Sequence, residues 1–258
     1  MDYTFYKYHG TGNDFILIDD RESTFPQYDV KLIAGLCQRR FGIGADGLIL
    51  LQSHPEVDFK MVYFNSDGSE STMCGNGGRC LVQFAYDLNI IGEHTRFEAI
   101  DGMHSATVHE DGTVALHMID TENSKGSEKG FFIDTGSPHH VEFVEKTEGY
   151  PVFETGRKYR NEIYGAEGAN INFVEMTGDK ISVRTYERGV EDETYSCGTG
   201  VTAAALVAFQ QKGMTANPMK VKTLGGELSV SFEVSEDGFK NVILRGPATF
   251  VFDGQFSV

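Results

Sequence analysis

An internal repeat constrains the fold of this chain more than any other feature of its sequence. Four pairs of positions are related by nearly one offset: Cys74 with Cys197, Asn65 with Arg188, Gly12 with Gly136, and "GADG" at 44–47 with "GAEG" at 165–168. The offsets are 123, 123, 124 and 121 residues. One match means little in a chain with 30 glycines, but four at nearly one spacing indicate two related halves.

An apolar helix is predicted directly after each of the two repeated cysteines. The segment "GGRCLVQFAYDLN" at 77–89 is mostly apolar, and "GVTAAALVAFQQKG" at 200–213 is apolar on almost every side until Gln210, with Gly213 as its expected end. A helix that is hydrophobic all round must be enclosed by other elements. A third helix is predicted to begin at Asp29, a good N-cap that precedes apolar residues at helical spacing.

Most of the remaining sequence is typical of strands and hairpins. Turns are predicted at 101–102 and 111–112 within 95–118, at 177–179 within 171–187, and at 225–226 and near 237–238 within 219–258. The predicted fold class is therefore α+β, with two pseudo-symmetric domains at residues 1–118 and 119–246. Each is expected to be a curved sheet wrapped around one central helix, and such halves bring two helix N-termini to opposite sides of one cleft.

Composition and charge exclude several classes of partner. The formal net charge is −16, from 22 Lys and Arg against 38 Asp and Glu, which leaves little for the basic face that a nucleic acid requires. No apolar run reaches the length of a membrane span, and the N-terminal "MDYTFYKYHGTGNDF" lacks the pattern of a signal peptide. We therefore expect a cytoplasmic protein without nucleic-acid or membrane partners.

The four cysteines match no disulfide or metal motif. A disulfide framework is not expected in a long cytoplasmic chain. No C-x-x-C pair is present for a thioredoxin motif or a zinc knuckle, so we expect no metal site. Cys37 and Cys80 fall inside helical patterns and are interpreted as small buried side chains.

Cys74 and Cys197 stand where the two apolar helices are expected to begin. The positive end of a helix dipole favours thiolate over thiol, and the backbone N–H groups of 75–77 and 198–200 form a site for an anion. Two thiols facing one carboxylate-sized site suit the removal of a proton from one face of a carbon and its return on the other. The residues therefore predict racemisation or epimerisation at the α-carbon of an amino acid. That chemistry can proceed without metal or pyridoxal phosphate, although the sequence alone leaves a cofactor open.

Seven motifs occur in order along almost the whole chain: "HGTGNDF" (9–15), "FGIGADG" (41–47), "NSDGS…MCGNGGRC" (65–80), "GSPHHV" (136–141), "GANINF" (168–173), "YERGVEDET…SCGTG" (186–200) and "GPATFVFDG" (246–254). Together they resemble the diaminopimelate epimerase family. The Cys-Gly corners alone are less specific, because proline racemases share them. "GNDF" and "YERG" point to the diaminopimelate branch.

The resemblance implies two similar domains, each a β-barrel-like sheet around a central helix, with a final strand at about 247–258 that returns to the N-terminal domain. It also implies a homodimer that uses no cofactor, neither metal nor pyridoxal phosphate. The implied reaction interconverts LL-2,6-diaminoheptanedioate and its meso isomer, which is used for lysine and, in many bacteria, for peptidoglycan.

The resemblance also assigns roles to individual residues. Cys74 and Cys197 become the acid–base pair, and His139 and Glu187 support them by orienting the substrate ammonium and shaping the electrostatics of the thiols. The implied substrate-binding residues are Gly75, Asn76, Gly198 and Thr199 at the α-carboxylate, Asn13, Asn65, Asn170 and Arg188 at the distal end, and Glu187. Two positions depart from the family pattern: Ser137 replaces an asparagine of many members, and Gly47 stands where some members have glutamine.

Three other interpretations stay open at this point. One is a racemase or epimerase for another amino acid such as hydroxyproline, which Arg188 and the asparagines disfavour because they suit a second charged end of the substrate. Another is a catalytically silent amino-acid-binding protein whose cysteines are kept for packing. The third is a redox sensor in which the two cysteines form a disulfide.

Overall fold

The computed structural model describes residues 1–258 and contains 19 strands and four helices. The chain divides into two compact units, one formed by Met1–Leu116 with Pro247–Val258 and the other by His117–Gly246. No helix has both the length and the apolar character that crossing a membrane requires.

The first unit is a mixed sheet with two helices. Its elements are β1 (Asp2–Gly10), β2 (Asn13–Asp19), α1 (Val30–Cys37), β3 (Gly47–Gln52), β4 (Phe59–Asn65), β5 (Glu70–Ser71), α2 (Gly75–Asp87), β6 (His94–Ala99), β7 (Gly102–Val108), β8 (Thr113–His117) and the C-terminal β19 (Thr249–Ser257). Strand β1 pairs antiparallel with β19 and β2, β2 pairs parallel with β3, and β3 pairs antiparallel with β4. Strand β4 pairs antiparallel with β5 and parallel with β6, and β6, β7 and β8 form an antiparallel run.

The second unit has a corresponding set of elements. They are β9 (Thr121–Glu122), β10 (Lys125–Ser127), β11 (Gly130–Asp134), β12 (Pro138–Phe143), α3 (Val152–Glu162), β13 (Asn170–Thr177), β14 (Lys180–Glu187), β15 (Asp192–Thr194), α4 (Gly198–Lys212), β16 (Met219–Thr223), β17 (Gly226–Val234) and β18 (Gly238–Pro247). Strand β11 pairs antiparallel with β10 and β12, β12 pairs parallel with β13, and β13 pairs antiparallel with β14. Strand β14 pairs antiparallel with β15 and parallel with β16, and β16, β17 and β18 form an antiparallel run that β9 extends.

The two units therefore share one order of connections. In each, an antiparallel pair leads into a parallel pair with a helix between its strands. A second helix then separates a short strand, β5 or β15, from the final antiparallel run. The repeated glycines also fall in corresponding turns: Gly12 (φ 85°) lies between β1 and β2, and Gly136 (φ 97°) lies between β11 and β12. Positive φ values favour glycine because it has no Cβ. The predicted α+β fold with two similar halves is confirmed.

The predicted enclosure of the helix after Cys197 is also confirmed. Every residue from Gly200 to Ala208 is buried. Around this helix, α4, side chains of β11 to β14 and β16 to β18 form one apolar core. The helix ends at Gly213, which has a φ of 67° and donates its N–H to the carbonyl of Ala208.

In the first unit, two helices cover opposite faces of β3, so that all of its residues are buried. Leu48 and Leu50 share a core with Ile33 of α1. Ile49 points the other way, because a Cβ built on Gly77 of α2 lies 3.0 Å from its side chain. Strands buried on both faces lose the alternation of polar and apolar residues.

Helix α3 was not predicted from the sequence. Its segment "VFETGRKYRNE" is polar, and its buried stripe consists of Val152, Gly156 and Tyr159. The three residues have helical spacing, but the middle one is glycine. The sequence therefore lacks the run of apolar side chains that predicts an amphipathic helix. A Cβ at Gly156 would lie 2.3 Å from the Cβ of Tyr186, so the close approach of α3 to the sheet requires glycine there.

Candidate active site

Each unit contains a cysteine at the N-terminus of its enclosed helix. Cys74 caps α2 with φ −94° and ψ 128°, and Cys197 caps α4 with φ −115° and ψ 114°. Their carbonyl oxygens accept the first intrahelical bonds, from Gly78 at 2.7 Å and from Val201 at 2.8 Å. The first N–H groups of a helix have no intrahelical acceptor. The expectation that both thiols stand at helix N-termini is therefore confirmed. The residues around Cys74 form the Cys74 half-site, and those around Cys197 form the Cys197 half-site.

The thiol of the Cys74 half-site contacts Asn13, at the start of β2. The Cys74 Sγ lies 3.7 Å from the Oδ1 of Asn13, and the Nδ2 of Asn76 donates to the same oxygen at 3.2 Å. The Nδ2 of Asn13 donates to the Asp46 carboxylate at 2.7 Å. Since an ionised carboxylate only accepts hydrogen bonds, Asp46 fixes the orientation of the Asn13 amide and turns its oxygen toward the thiol.

A cluster of charges holds Asp46 in place. The Nη2 of Arg39 donates to Asp46 at 2.8 Å and to Asp14 at 2.5 Å, and Lys7 pairs with Asp14 at 2.7 Å. Burial opposes the ionisation of Asp14, but the bonds from Arg39 and Lys7 outweigh it and lower the pKa of this carboxyl. Asp14 is therefore held as a carboxylate between Lys7 and Arg39, and Arg39 links it to Asp46.

The remaining residues of this half-site that the sequence selected lie at the ends of strands. Asn65 ends β4, and its backbone closes the turn to β5 by accepting from Gly68 at 2.9 Å. Gly47 begins β3, and a Cβ there would lie 2.6 Å from the ring of Tyr63 and 2.6 Å from the carbonyl of Phe64. The Tyr63 ring thus occupies the space that a longer side chain at position 47 would need.

The Cys197 half-site contains a buried polar network. Asn172, on the inner face of β13, donates from Nδ2 to the Nδ1 of His139 at 3.1 Å and to the carbonyl of His140 at 2.8 Å. Its Oδ1 accepts from the hydroxyl of Thr185 at 2.9 Å. His139, Asn172 and Gly200 meet at the first turn of α4, because a Cβ built on Gly200 would lie 2.4 Å from the Asn172 Oδ1 and 3.3 Å from the His139 Cε1.

These bonds determine the tautomer of His139. The carbonyl of His140 can only accept, so it fixes the amide of Asn172 with its nitrogen toward the Nδ1 of His139. Burial lowers the pKa of His139 to about 3, and the Arg188 guanidinium acts in the same direction. The ring is therefore neutral, with Nδ1 as acceptor and the proton on Nε2.

The Nε2–H of His139 is a buried donor whose acceptor is missing. The atom is buried and has no hydrogen-bond partner within the protein. A Cβ built on Gly200 would lie 3.3 Å from the Cβ of Cys197 and 3.3 Å from the Cε1 of His139. The His139 ring therefore lies beside Cys197. A buried donor without an acceptor costs about 1–3 kcal/mol, and an anion at this place removes that cost.

Asn170 and Arg188 are joined by internal hydrogen bonds. The Oδ1 of Asn170 accepts from the backbone N–H of Arg188 at 2.9 Å, and its Nδ2 donates to the carbonyl of Pro138 at 3.2 Å. The Arg188 side chain is exposed, and its Nη1 donates to the carbonyl of Glu167 at 3.0 Å. Asn170 therefore holds the backbone at Arg188 and leaves the guanidinium accessible.

Two other contacts complete the Cys197 half-site. Glu187, at the end of β14, accepts from the Thr194 hydroxyl at 2.9 Å. The Thr199 hydroxyl lies 3.5 Å from the Cys197 Sγ, and the Thr199 carbonyl accepts from Thr135 at 2.9 Å. Thr135 begins the turn that contains Ser137, so this turn is tied to the N-terminus of α4.

The other two cysteines are structural, as predicted. Cys37 ends α1 and Cys80 lies within α2, and both are buried. Burial raises the pKa of each thiol to about 12. None of the four cysteines forms a disulfide in this structure.

Sequence reasoning missed two residues of these half-sites, Asn172 and Arg79. Asn172 belongs to "GANINF" and is the polar residue on the inner side of a strand whose neighbours are apolar. Arg79 belongs to "GNGGRC" and is fully buried beneath the first turn of α2. In both cases the motif was recognised, but the burial of the side chain was not evident from residue type.

Comparison with known proteins identifies close sequence relatives. The family described as Diaminopimelate epimerase matches residues 5–123 and 131–251. A diaminopimelate epimerase of Flavobacterium psychrophilum is 53% identical over 251 residues, covering 96% of this chain and 98% of that protein. The diaminopimelate epimerase of Aquifex aeolicus is 42% identical over 274 residues, covering 98% of this chain and 97% of that protein.

Solved structures of lower identity share the fold. A phenazine biosynthesis protein of the PhzF family from Bacillus anthracis has a TM-score of 0.77 at 14% identity, over 100% of both chains. A hydroxyproline epimerase from Agrobacterium vitis has a TM-score of 0.69 at 13% identity, over 98% of this chain and 92% of that chain. At such identities the likeness concerns the fold alone.

Proposed function

The chain belongs to the diaminopimelate epimerase family, and on that premise we propose how it interconverts LL-2,6-diaminoheptanedioate and the meso isomer. The enzyme is an isomerase. The observation that carries the mechanism is the repeated thiol: Cys74 and Cys197 cap equivalent helices in similar extended conformations, each without a side-chain capping bond.

The two thiols act on opposite faces of the α-carbon. One thiolate removes the α-proton, and the other thiol donates its proton to the opposite face, so that the α-carbon is inverted and the proton count is conserved. The enzyme then holds the thiol and thiolate in exchanged positions, which are those needed for the reverse reaction. Positioned acid–base catalysis of this kind contributes about 10²–10⁴-fold.

The helix N-termini hold the α-carboxylate of the substrate. The backbone amides of Gly75 and Asn76, and of Gly198 and Thr199, point out of α2 and α4 with the positive ends of the helix dipoles. They stabilise the negative charge that develops as the α-proton leaves. The Nε2–H of His139 reinforces this field at the Cys197 half-site.

Arg188 binds the distal carboxylate. A guanidinium offers two parallel N–H donors to a carboxylate, and this side chain is exposed while its backbone is held by Asn170. Asn13 and Asn65 contribute to the same distal end, and Glu187 orients the substrate ammonium. Binding energy from the distal end positions the reacting carbon between the thiols.

The wider setting follows from the family resemblance. The reaction uses neither metal nor pyridoxal phosphate, the protein is a cytoplasmic homodimer, and the meso product serves lysine and peptidoglycan synthesis. Dialysis against a chelator tests whether the reaction needs a metal, and treatment with a carbonyl reagent tests whether it needs pyridoxal phosphate. Neither treatment should change the epimerisation rate.

The experiment that tests the activity follows the appearance of the meso isomer from LL-2,6-diaminoheptanedioate. Wild type should produce it, and both Cys74→Ser and Cys197→Ser should lose about 10²–10⁴-fold in rate, because a hydroxyl is a far poorer base than a thiolate. Cys37→Ser is the matched control and should keep the rate. Near-normal epimerisation by either active-site serine variant contradicts the two-base mechanism, and epimerisation of hydroxyproline instead contradicts the substrate.

A further inference from the structure

Arg79 is a buried cation without an acidic partner. It lies in the second turn of α2, none of its side chain is exposed, and it forms no ion pair with an Asp or Glu. A charged side chain is almost never fully buried unless it is paired. No carboxylate of the first unit therefore balances the charge of the Arg79 guanidinium through an ion pair.

The hydrogen bonds of Arg79 all go to neutral oxygens. Its Nη2 donates to the Oδ1 of Asn76 at 2.9 Å, its Nη1 to the carbonyl of Gly75 at 3.2 Å, and its Nε to the carbonyl of Pro247 at 3.5 Å. Gly75 and Asn76 are the first two residues of α2. The guanidinium is thus fixed beneath the helix N-terminus that Cys74 caps.

The equivalent position in the second unit shows that packing does not require a charge there. Thr202 lies 123 residues after Arg79, and its hydroxyl donates to the carbonyl of Gly198 at 3.0 Å, as Arg79 does to Gly75. A neutral hydroxyl therefore serves the same hydrogen bond in the sister helix. The positive charge at position 79 needs another explanation.

The neighbouring acidic groups already have partners or are neutral. Asp14 is paired with Lys7 and Arg39. Asp101 accepts from the Met73 N–H at 3.3 Å and from the ring of His104 at 3.2 Å. Cys80, next to Arg79, has its pKa raised by burial to about 12 and stays a thiol. Asp87, at the far end of α2, accepts from the Tyr8 hydroxyl at 2.6 Å and from the Gln83 amide at 2.9 Å. Burial lowers the pKa of Arg79, and negative charge on Cys80 or Cys74 acts in the opposite direction. Because Cys80 stays a thiol, Cys74 is the neighbouring group whose charge couples to Arg79, together with any carboxylate bound at the helix N-terminus.

We propose that Arg79 is a positioning residue that supplies a buried positive charge to the Cys74 half-site, where it stabilises the Cys74 thiolate and a carboxylate at the N-terminus of α2. The link to catalysis rests on the proposed function of Cys74. The electrostatic effect on the thiol does not, because it exists without substrate. In the Cys197 half-site the buried donor is neutral, the Nε2–H of His139, so the two half-sites differ in charge.

The test measures alkylation of individual cysteines by iodoacetamide at pH 7, without substrate, with peptide mass spectrometry to separate Cys74 from Cys197. Iodoacetamide is neutral, so that charge steering of the reagent is absent. Arg79→Gln should slow alkylation of Cys74 about tenfold or more, the loss in thiolate that one pKa unit produces. Arg79→Lys should keep most of the rate, and Cys197 in the same sample should be unchanged.

Two further variants separate charge from packing. Arg79→Met is a second neutral variant that fills apolar space, and it should slow Cys74 as Arg79→Gln does. Thr202→Val removes the corresponding hydrogen bond in α4 without changing a charge and should leave Cys74 unaffected. An unchanged Cys74 rate in both neutral variants overturns the proposal, and so does an equal loss in Arg79→Lys and Arg79→Gln, which assigns Arg79 to packing alone. Since no turnover is measured, failure of the proposed reaction would show separately, in the epimerisation assay.

Discussion

Gly200→Ala tests the packing of the Cys197 half-site most sharply. The added Cβ would lie 2.4 Å from the Oδ1 of Asn172, whereas ordinary contact begins at 3.4 Å. Asn172 must therefore move by about 1 Å, the difference between these distances. It is fully buried and makes hydrogen bonds of 2.8–3.1 Å to three partners, so it cannot move without stretching them.

The expected cost follows from these contacts. Overpacking of a dense core costs about 1–3 kcal/mol, and each stretched hydrogen bond costs about 0.5–1.5 kcal/mol. The gain from alanine over glycine in a helix is about 0.5–1 kcal/mol. We therefore expect Gly200→Ala to lower the free energy of unfolding by about 1.5 kcal/mol or more. A displacement of 1 Å at the reacting groups also lowers the epimerisation rate about 10²-fold.

Gly35→Ala, in α1, is the matched control. Gly35 is also helical, but a Cβ there meets no atom within 4 Å. This variant should gain about 0.5–1 kcal/mol in the free energy of unfolding and keep its activity. Urea unfolding monitored by circular dichroism measures the free energy of unfolding of both variants, and the appearance of the meso isomer measures their activity. A Gly200→Ala protein as stable and as active as Gly35→Ala would refute the close packing of α4 on the His139–Asn172 pair.

Three other predictions concern the substrate, the thiols and the histidine. Arg188→Lys should lower epimerisation of LL-2,6-diaminoheptanedioate, and wild type should not turn over L-lysine, which lacks the distal carboxylate; equal turnover of both substrates removes that assignment for Arg188. A mild oxidant should inactivate the substrate-free enzyme reversibly through a Cys74–Cys197 disulfide, and a bridge to Cys37 or Cys80 found by mass spectrometry would count against two thiols that share one substrate. Long-range ¹H–¹⁵N NMR should show His139 protonated on Nε2, and Asn172→Asp should change this tautomer or charge state because a carboxylate cannot donate to Nδ1; the Nδ1–H tautomer in wild type would refute the hydrogen-bond assignment.

The fold was predictable from the sequence because the repeat and the apolar helices report on topology. Equivalent glycines mark equivalent turns, and Gly12 and Gly136 have positive φ values in both. The segment after Cys197 is apolar on all sides, and only an enclosing sheet can bury it. Helix α3 was not predicted because its close contact with the sheet is made by Gly156. Glycine is required there because it has no Cβ, and a missing side chain leaves no apolar signal in the sequence.

The site was predictable in its chemistry but not in its internal bonds. The thiols followed from their place before glycine-rich helix starts. The anchoring of Asn13 by Asp46 joins residues 33 positions apart, and the bond from Asn172 to His139 also spans 33 positions. Such contacts depend on strand register, which residue types alone do not specify. Arg79 gave no signal either, since arginine in a helix is most often exposed.

Solvent deuterium tests the central claim, that two thiols share one inversion, most directly. The enzyme is incubated with LL-2,6-diaminoheptanedioate in deuterated water, and the α-carbons of substrate and product are analysed during the first few per cent of conversion. Two bases predict that each new meso molecule carries solvent deuterium at the inverted carbon while the remaining LL substrate stays protiated. A single base that returns the proton it removed would leave protium in the meso product, and that result would contradict the two-thiol account.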